Sequence, residues 1–207
     1  MTYSWILDEE KYLKIEEVKI LRDTCRKLKQ EGIKRNNPVF VRDWFMIELG
    51  LFTGLRVEEM ADLNCGDLLI DNAQSSLIVR KGKGNKKRVV LLNPVFKKEC
   101  LWFLKYKQSI HQEINENSCV LCSIEGNTLT KRALQKDFKR TMKKAGLPDH
   151  YSIHSLRHTF GSHLYKSSNH NLRLVQQQLG HSSIRTTEVY ASLMAEDTKE
   201  AIKNLYK

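Results

Sequence analysis

The segment VFVRDWFMIELGLF, residues 39–52, constrains the fold of this chain more than any other. It opens behind Asn37-Pro38, a helix-starting pair, and breaks at Gly54. On a helix its side chains are apolar on most faces, so other elements must coat it and it belongs at the centre of the core. Arg42, Asp43 and Glu48 interrupt the run, and it is too short to span a bilayer.

The flanking sequence supplies that coat. KIEEVKILRDTCRKLKQ (14–30) places Ile15, Val18, Leu21, Cys25 and Leu28 at helical spacing, with Gly32 as the expected stop. A short helix is expected through RVEEMADL (56–63). Leu77 and Val79 alternate, VVLL (89–92) is a second apolar run, and GKGN between them reads as the turn of a hairpin. Helical spacing returns over 94–110, with Pro94 at the first position. It returns again over 130–145, with Leu134, Phe138, Thr141, Met142 and Ala145 inward and the lysines outward. VLCSIEGNTLT (120–130) reads as a short strand and turn. HSLRHTFGSHLYKS (154–167) and NLRLVQQQLG (171–180) read as two further helices, and a weakly amphipathic tail (196–207) ends the chain. No repeat, low-complexity tract or Gly/Pro/Ser-rich linker divides it. The expected fold class is α+β, mostly α-helical with a small antiparallel β-sheet, in one domain over 1–207.

Charge narrows the function. The chain carries 35 Lys+Arg against 24 Asp+Glu, a formal +11, which favours a polyanionic partner. The excess is concentrated. Residues 1–31 hold seven acidic and seven basic side chains, whereas RKGKGNKKR (80–88) has six basic residues and no acid. KRALQKDFKRTMKK (131–144) has seven basic residues against Asp137 alone. Arg80, Lys81, Lys86, Lys87, Arg88, Lys131, Arg132, Lys139 and Arg140 are therefore the candidate contacts to nucleic acid. The five cysteines have no framework spacing and suit a reducing cytoplasm. Cys119 and Cys122 form a CxxC with no second pair to complete a zinc site, and read as part of a strand. No signal peptide is visible at the start, and no membrane segment along the chain.

Several short motifs could carry chemistry, each weak alone. In HSLRH, His154 and Arg157 share a helix face, where an arginine fork and an imidazole can converge on one phosphate. TGLR (53–56) presents Arg56 after a helix-breaking glycine, and Glu59 could hold its guanidinium or a neighbouring base. Lys83 lies between Gly82 and Gly84 in the hairpin turn. In LGH, Gly180 can cap a helix and expose His181.

Taken together and in order, TGLR, GKG in a basic hairpin, HxLRHTF and LGHSS…TT..Y resemble the tyrosine recombinase (phage integrase) family, from about Tyr12 to Tyr190. The resemblance implies the catalytic-domain fold of that family. It implies a catalytic set of Arg56, Lys83, His154, Arg157, His181 and Tyr190, with Glu59 on a supporting acidic position. Tyr190 would attack a DNA phosphodiester to give a 3′-phosphotyrosyl bond, so rejoining needs no ATP. Arg56 and Arg157 would hold the non-bridging oxygens, with His181 adding a hydrogen bond. Lys83 would protonate the leaving 5′-oxygen, and His154 would assist proton transfer at the tyrosine. No metal and no cofactor are expected.

The implied protein is a site-specific recombinase or integrase of bacterial, phage or mobile-element origin, cytoplasmic, and tetrameric on DNA with exchange of the C-terminal tail 196–207. Only about a dozen residues precede the family pattern, so the N-terminal core-binding domain of most members is expected to be absent. That leaves open a naturally single-domain recombinase, as the fimbrial inversion enzymes are, or the catalytic half of a larger integrase. The alternatives weighed are a type IB topoisomerase, a non-catalytic DNA-binding regulator on the same fold, and a metal hydrolase using His154, His158 and His163. The last lacks the glutamate of an HExxH motif.

Overall fold

The computed structural model describes residues 11–70, 74–80, 87–181 and Thr187. Helix α1 (Ile15–Lys34) packs on α2 (Pro38–Thr53), followed by α3 (Val57–Ala61) and a single 3₁₀ turn (Cys65–Asp67). Strands β1 (Leu68–Leu69), β2 (Ser76–Val79) and β3 (Arg88–Leu91) form an antiparallel sheet in sequence order. Helices α4 (Pro94–Ser109), α5 (Lys131–Lys144), α6 (Ile153–Ser167) and α7 (Leu172–Leu179) complete the element order. Among the described residues, no helix is long and apolar enough to cross a membrane.

Helix α2 is the centre of the core, as its composition requires. Trp44, Phe45, Met46, Ile47 and Leu49 are all buried, each worth about 1.5–3 kcal/mol against exposure. Phe45 stacks on Phe103 of α4 at 3.9 Å between centroids. The polar interruptions of this helix are buried with partners. Glu48 receives Arg22 Nε of α1 at 2.9 Å on both oxygens, and Asp43 receives Arg140 of α5 at 2.5 Å. Arg42 bridges Asp43 and Asp137 at 3.1 and 2.5 Å, so α2 and α5 are tied by two arginines and two aspartates. The stripe expected on α5 is inward: Leu134, Phe138, Thr141 and Met142 are buried and Ala145 packs half-buried against the core.

Local sequence sets the boundaries. Asn37 and Asn93 each accept the N–H two residues on and precede a proline, which opens α2 and α4. Thr130 caps α5 through Ala133 N at 3.2 Å. Three expectations need correction. Gly32 does not stop α1, which runs to Lys34; Asn36 turns the chain with φ +51°, a conformation asparagine tolerates. The helix after TGLR is shorter than 56–63, because Arg56 is its cap and Asp62 its end. Residues 120–130 form no strand: Cys119 and Cys122 make isolated bridges to Asn64 and Thr128 around a turn. Cys122 is buried, Cys119 half-exposed, and the Cys122 sulfur accepts a hydrogen bond from the buried Lys107 ammonium at 2.9 Å. Among the described residues, no three His, Cys, Asp or Glu side chains are grouped to hold a metal ion.

Candidate active site

Two glycine turns form the walls of the site. Gly54 ends α2 with φ +60°, and a Cβ there would lie 2.4 Å from Phe160 and 2.8 Å from Leu179. Gly180 ends α7 with φ +65°, and a Cβ there would lie 2.4 Å from Arg88 Cδ. Both positions thus combine left-handed backbone with close approach, and only glycine meets both demands.

Arg157, on the second turn of α6, joins these walls. It is 2% exposed; Nη1 donates to Gly54 O at 2.6 Å and Nη2 to Leu179 O at 2.7 Å. One guanidinium therefore fixes the turn that presents Arg56 relative to the turn that presents His181. Arg56 donates from its backbone N–H to Glu59 Oε2 and from Nη1 to Glu59 Oε1, both at 2.8 Å. Its side chain stays 22% exposed, at the surface of this corner.

His181 is half-buried beside these cations. Its backbone N–H donates to Gln176 O, and its carbonyl accepts from Gln176 Nε2. Its Nδ1 lies 3.0 Å from Thr187 Oγ1. When Nδ1 accepts from that hydroxyl, Nε2 carries the ring proton and becomes a donor. Burial, then the charges of Arg157, Arg56 and Arg88, push the imidazole down to about 3, so it is neutral near pH 7. His154 sits one turn before Arg157, at the surface, with its ring edge-to-face on His158 at 4.7 Å. Desolvation and the Arg157 and Arg56 charges lower its basicity too. Arg56, Glu59, His154, Arg157 and His181 thus share one positively charged corner. Lys83 and Tyr190 lie outside the described residues.

Among the described residues, most of the candidate DNA contacts already have carboxylate partners. Arg88, expected to contact DNA, has its side chain only 10% exposed and both terminal nitrogens on Glu59, at 2.7 and 2.8 Å. Strand alternation is the cause: Arg88 lies on the same face as the buried Val90, opposite Val79. That register was the signal by which sequence reading could have turned Arg88 inward. Arg140 is held by Asp43 and Asp137, and Arg80 by Asp67 at 2.5 Å. Lys131 pairs with Glu58 at 3.0 Å, and Lys139 with Asp149 at 3.1 Å. Arg132 and Lys87 are exposed; Lys81 and Lys86 lie outside the described residues. Because Glu58 neighbours Glu59, the start of α5 borders the Arg56 corner. The bracing by Arg88 and the Thr187–His181 contact are the two features the sequence reading missed.

Burial opposes ionisation of Glu59, but the hydrogen bond and charge of Arg88, with those of Arg56, outweigh it and hold the carboxyl at about 2. Among the described residues of the corner, Arg56 and Arg88 share the single carboxylate of Glu59, which leaves a net positive charge suited to an anion.

Comparison with known proteins agrees. The model of the phage integrase family matches residues 11–197. Tyrosine recombinase XerD of Oceanobacillus iheyensis is 34% identical over 176 residues, covering 84% of this chain and 57% of that protein. Tyrosine recombinase XerC of Proteus mirabilis is 35% identical over 163 residues, covering 78% and 51%. The site-specific recombinase XerH, solved in a post-cleavage complex with a palindromic difH substrate, superposes with a TM-score of 0.74 at 27% identity, covering 95% of this chain and 53% of that one. The chain spans about half the length of the curated relatives it matches. In sequence and in fold, the chain belongs to the phage integrase family of tyrosine recombinases.

Proposed function

We propose that residues 1–207 form the catalytic domain of a site-specific DNA recombinase that cleaves and rejoins strands through a 3′-phosphotyrosyl intermediate. The observation that carries this reading is the double carbonyl pin of Arg157, which sets Arg56 and His181 around one corner. A guanidinium has five N–H donors, so holding two carbonyls is compatible with binding an anion as well.

In this reading Arg56 and Arg157 bind the non-bridging oxygens of a phosphodiester, and neutral His181 donates to one of them from Nε2. Charge builds on those oxygens as Tyr190 attacks, and fixed donors around them stabilise the pentacoordinate state. The tyrosine oxygen forms its bond to phosphorus, and the bond to the 5′-oxygen breaks. Lys83 gives that oxygen a proton while His154 takes up the tyrosine proton. The roles of Lys83 and Tyr190 rest on the family pattern. The contact of Thr187, three residues before Tyr190 in the sequence, with His181 supports the latter. Neither metal nor ATP enters the scheme.

The partners we propose are duplex DNA and further copies of the chain, assembled as a tetramer on DNA in the cytoplasm. The tail 196–207 of one copy would dock on the next. We assign as its acceptor the apolar groove of about 500 Å³ lined by Ile15, Leu51, Phe52, Phe160 and Leu164, which suits the tail's Ile202, Leu205 and Tyr206. The deciding experiment is a nicked suicide substrate carrying flanking DNA of the native locus. Wild-type protein should form a covalent adduct in the presence of EDTA, and Tyr190→Phe none. Adduct at undiminished yield in the variant overturns the nucleophile assignment, and no adduct with wild type favours a DNA-binding regulator.

A further inference from the structure

We infer that Arg88 is a positioning residue for the phosphate-binding corner, holding Glu59 so that Arg56 keeps both its place and its positive charge. The inference rests on the function proposed above. Three independent contacts fix Arg88 there. Its two terminal nitrogens fork onto the two oxygens of Glu59. Its Nε lies 3.3 Å from Gln178 O on the last turn of α7. Its aliphatic stem passes over Gly180, where any Cβ would collide with it. A second link holds the same strand to the same helix, because Gln178 Oε1 accepts from Leu91 N at 3.1 Å.

The consequence follows from charge. Glu59 is 7% exposed and touches both arginines, so its charge bears directly on Arg56. With Arg88 present, Arg56, Arg88 and Glu59 sum to one positive charge at the phosphate corner. Without Arg88 they sum to zero, and Glu59 is left with Arg56 as its remaining cation in this trio. A guanidinium drawn fully onto a buried carboxylate is a poorer ligand for phosphate, and the carboxylate repels the incoming anion. Removing the carboxylate as well restores the single positive charge. A purely structural arginine predicts the opposite, since the second substitution would only damage the corner further.

The test is adduct formation on the suicide substrate at saturating DNA, for Arg88→Ala, Arg88→Lys, Glu59→Gln and the double variant Arg88→Ala/Glu59→Gln. Duplex affinity is measured against salt and thermal unfolding recorded for each. Arg88→Ala should slow cleavage about 100-fold, the scale of a small misplacement at a reacting centre. Its salt slope should flatten by up to about 0.9 unit as Arg56 is drawn onto Glu59, and the double variant should recover the wild-type slope, which loss of a direct Arg88–phosphate contact would not allow. The double variant should be at least about fivefold faster than Arg88→Ala, and Arg88→Lys should fall between Arg88→Ala and wild type. A double variant no faster than Arg88→Ala, or one that does not recover the salt slope, overturns the inference.

If Arg88→Ala does not fold, Arg88→Lys carries the test through the ring protons of His181 in an NMR titration. Moving the charge off the fork should raise the His181 pKa relative to wild type, and an unmoved titration counts against the inference. If wild type forms no adduct, the functional reading fails by itself. Wild-type adduct with an Arg88→Ala rate equal to it fails the inference alone.

Discussion

Two of the buried ion-pair groups about α2 differ in one respect. Along the helix, Arg42 and Arg140 meet Asp43 and Asp137, two cations for two anions. At its C-terminal end, Arg56 and Arg88 share Glu59, while Arg157 donates to the carbonyls of Gly54 and Leu179. The first group is complete as it stands and joins α2 to α5. The second shares one carboxylate between two guanidinium groups, and the neighbouring His181 stays neutral beside them. Buried charge is tolerated where it is paired and hydrogen-bonded, so a persistent excess marks the place where an external anion belongs.

The largest effect expected from breaking this contrast is at Arg157. Arg157→Ala should reduce adduct formation by about 10²–10³-fold, the scale of losing a donor to a charged transition state. It should also lower unfolding free energy, because the carbonyls of Gly54 and Leu179 each lose a donor at about 1–3 kcal/mol. Time courses of adduct formation beside urea denaturation check both; lost cleavage at unchanged stability would deny the pinning role. In the balanced group, Asp43→Ala should cost about 3–5 kcal/mol, since it leaves Arg42 and Arg140 short of a buried partner. Its cleavage rate, measured well below the melting temperature, should stay within about threefold of wild type. A larger loss would mean that the two groups are not separable.

Acidification should act on two regions in opposite directions. His181 and His158 are depressed to about 3 and about 4, by burial first, while the unfolded chain takes up protons near 6.5. Their contribution to stability is therefore lost as pH falls below about 6.5, and Glu59, held at about 2, adds to the loss below about 4.5. Glu99 on α4 is the reverse case: burial, then the nearby Glu48, raises it to about 7. Its contribution is full at low pH and lost as pH rises through 7. Amide exchange between pH 7.5 and 5.5 should thus loosen α6 and the C-terminal end of α7 and firm the region around Glu99. Uniform change across both would remove the distinction.

The smallest effect is in salt dependence. Exposed Arg132 should contribute about 0.9 to the slope of log K against log salt, and Arg140, held by two aspartates, much less. Equal slopes for Arg132→Ala and Arg140→Ala would mean that Arg140 leaves its partners to meet DNA.

These pairings also mark what the sequence could tell. The apolar run of α2, the inward stripe of α5 and the Gly180 cap follow from local periodicity and turn chemistry. Arg56, His154, Arg157 and His181 could be singled out because their spacing is read along the chain. The partner of Arg88 is 29 residues away on another element, and no periodicity encodes it. Strand β1, two residues long, is too short to show alternation. Gly32 misled because a glycine inside a helix can serve close packing, here against Asn37 O and Phe40, instead of ending it. Lys83 and Tyr190, legible by pattern, lie outside the described residues.

The carbonyls that hold Arg157 belong to Gly54 and Leu179, where α2 and α7 end. A helix C-terminus carries roughly half a negative charge, so two of them turned on one guanidinium offset much of its pull. Arg157 is thereby a counterion to two dipoles before any ligand arrives, and the corner's grip on phosphate is moderated. For the strand exchange proposed here, the diester bears the same charge on entering and on leaving. A tempered grip lets go of it as readily as it takes hold, and so leaves the reaction free to run in either direction.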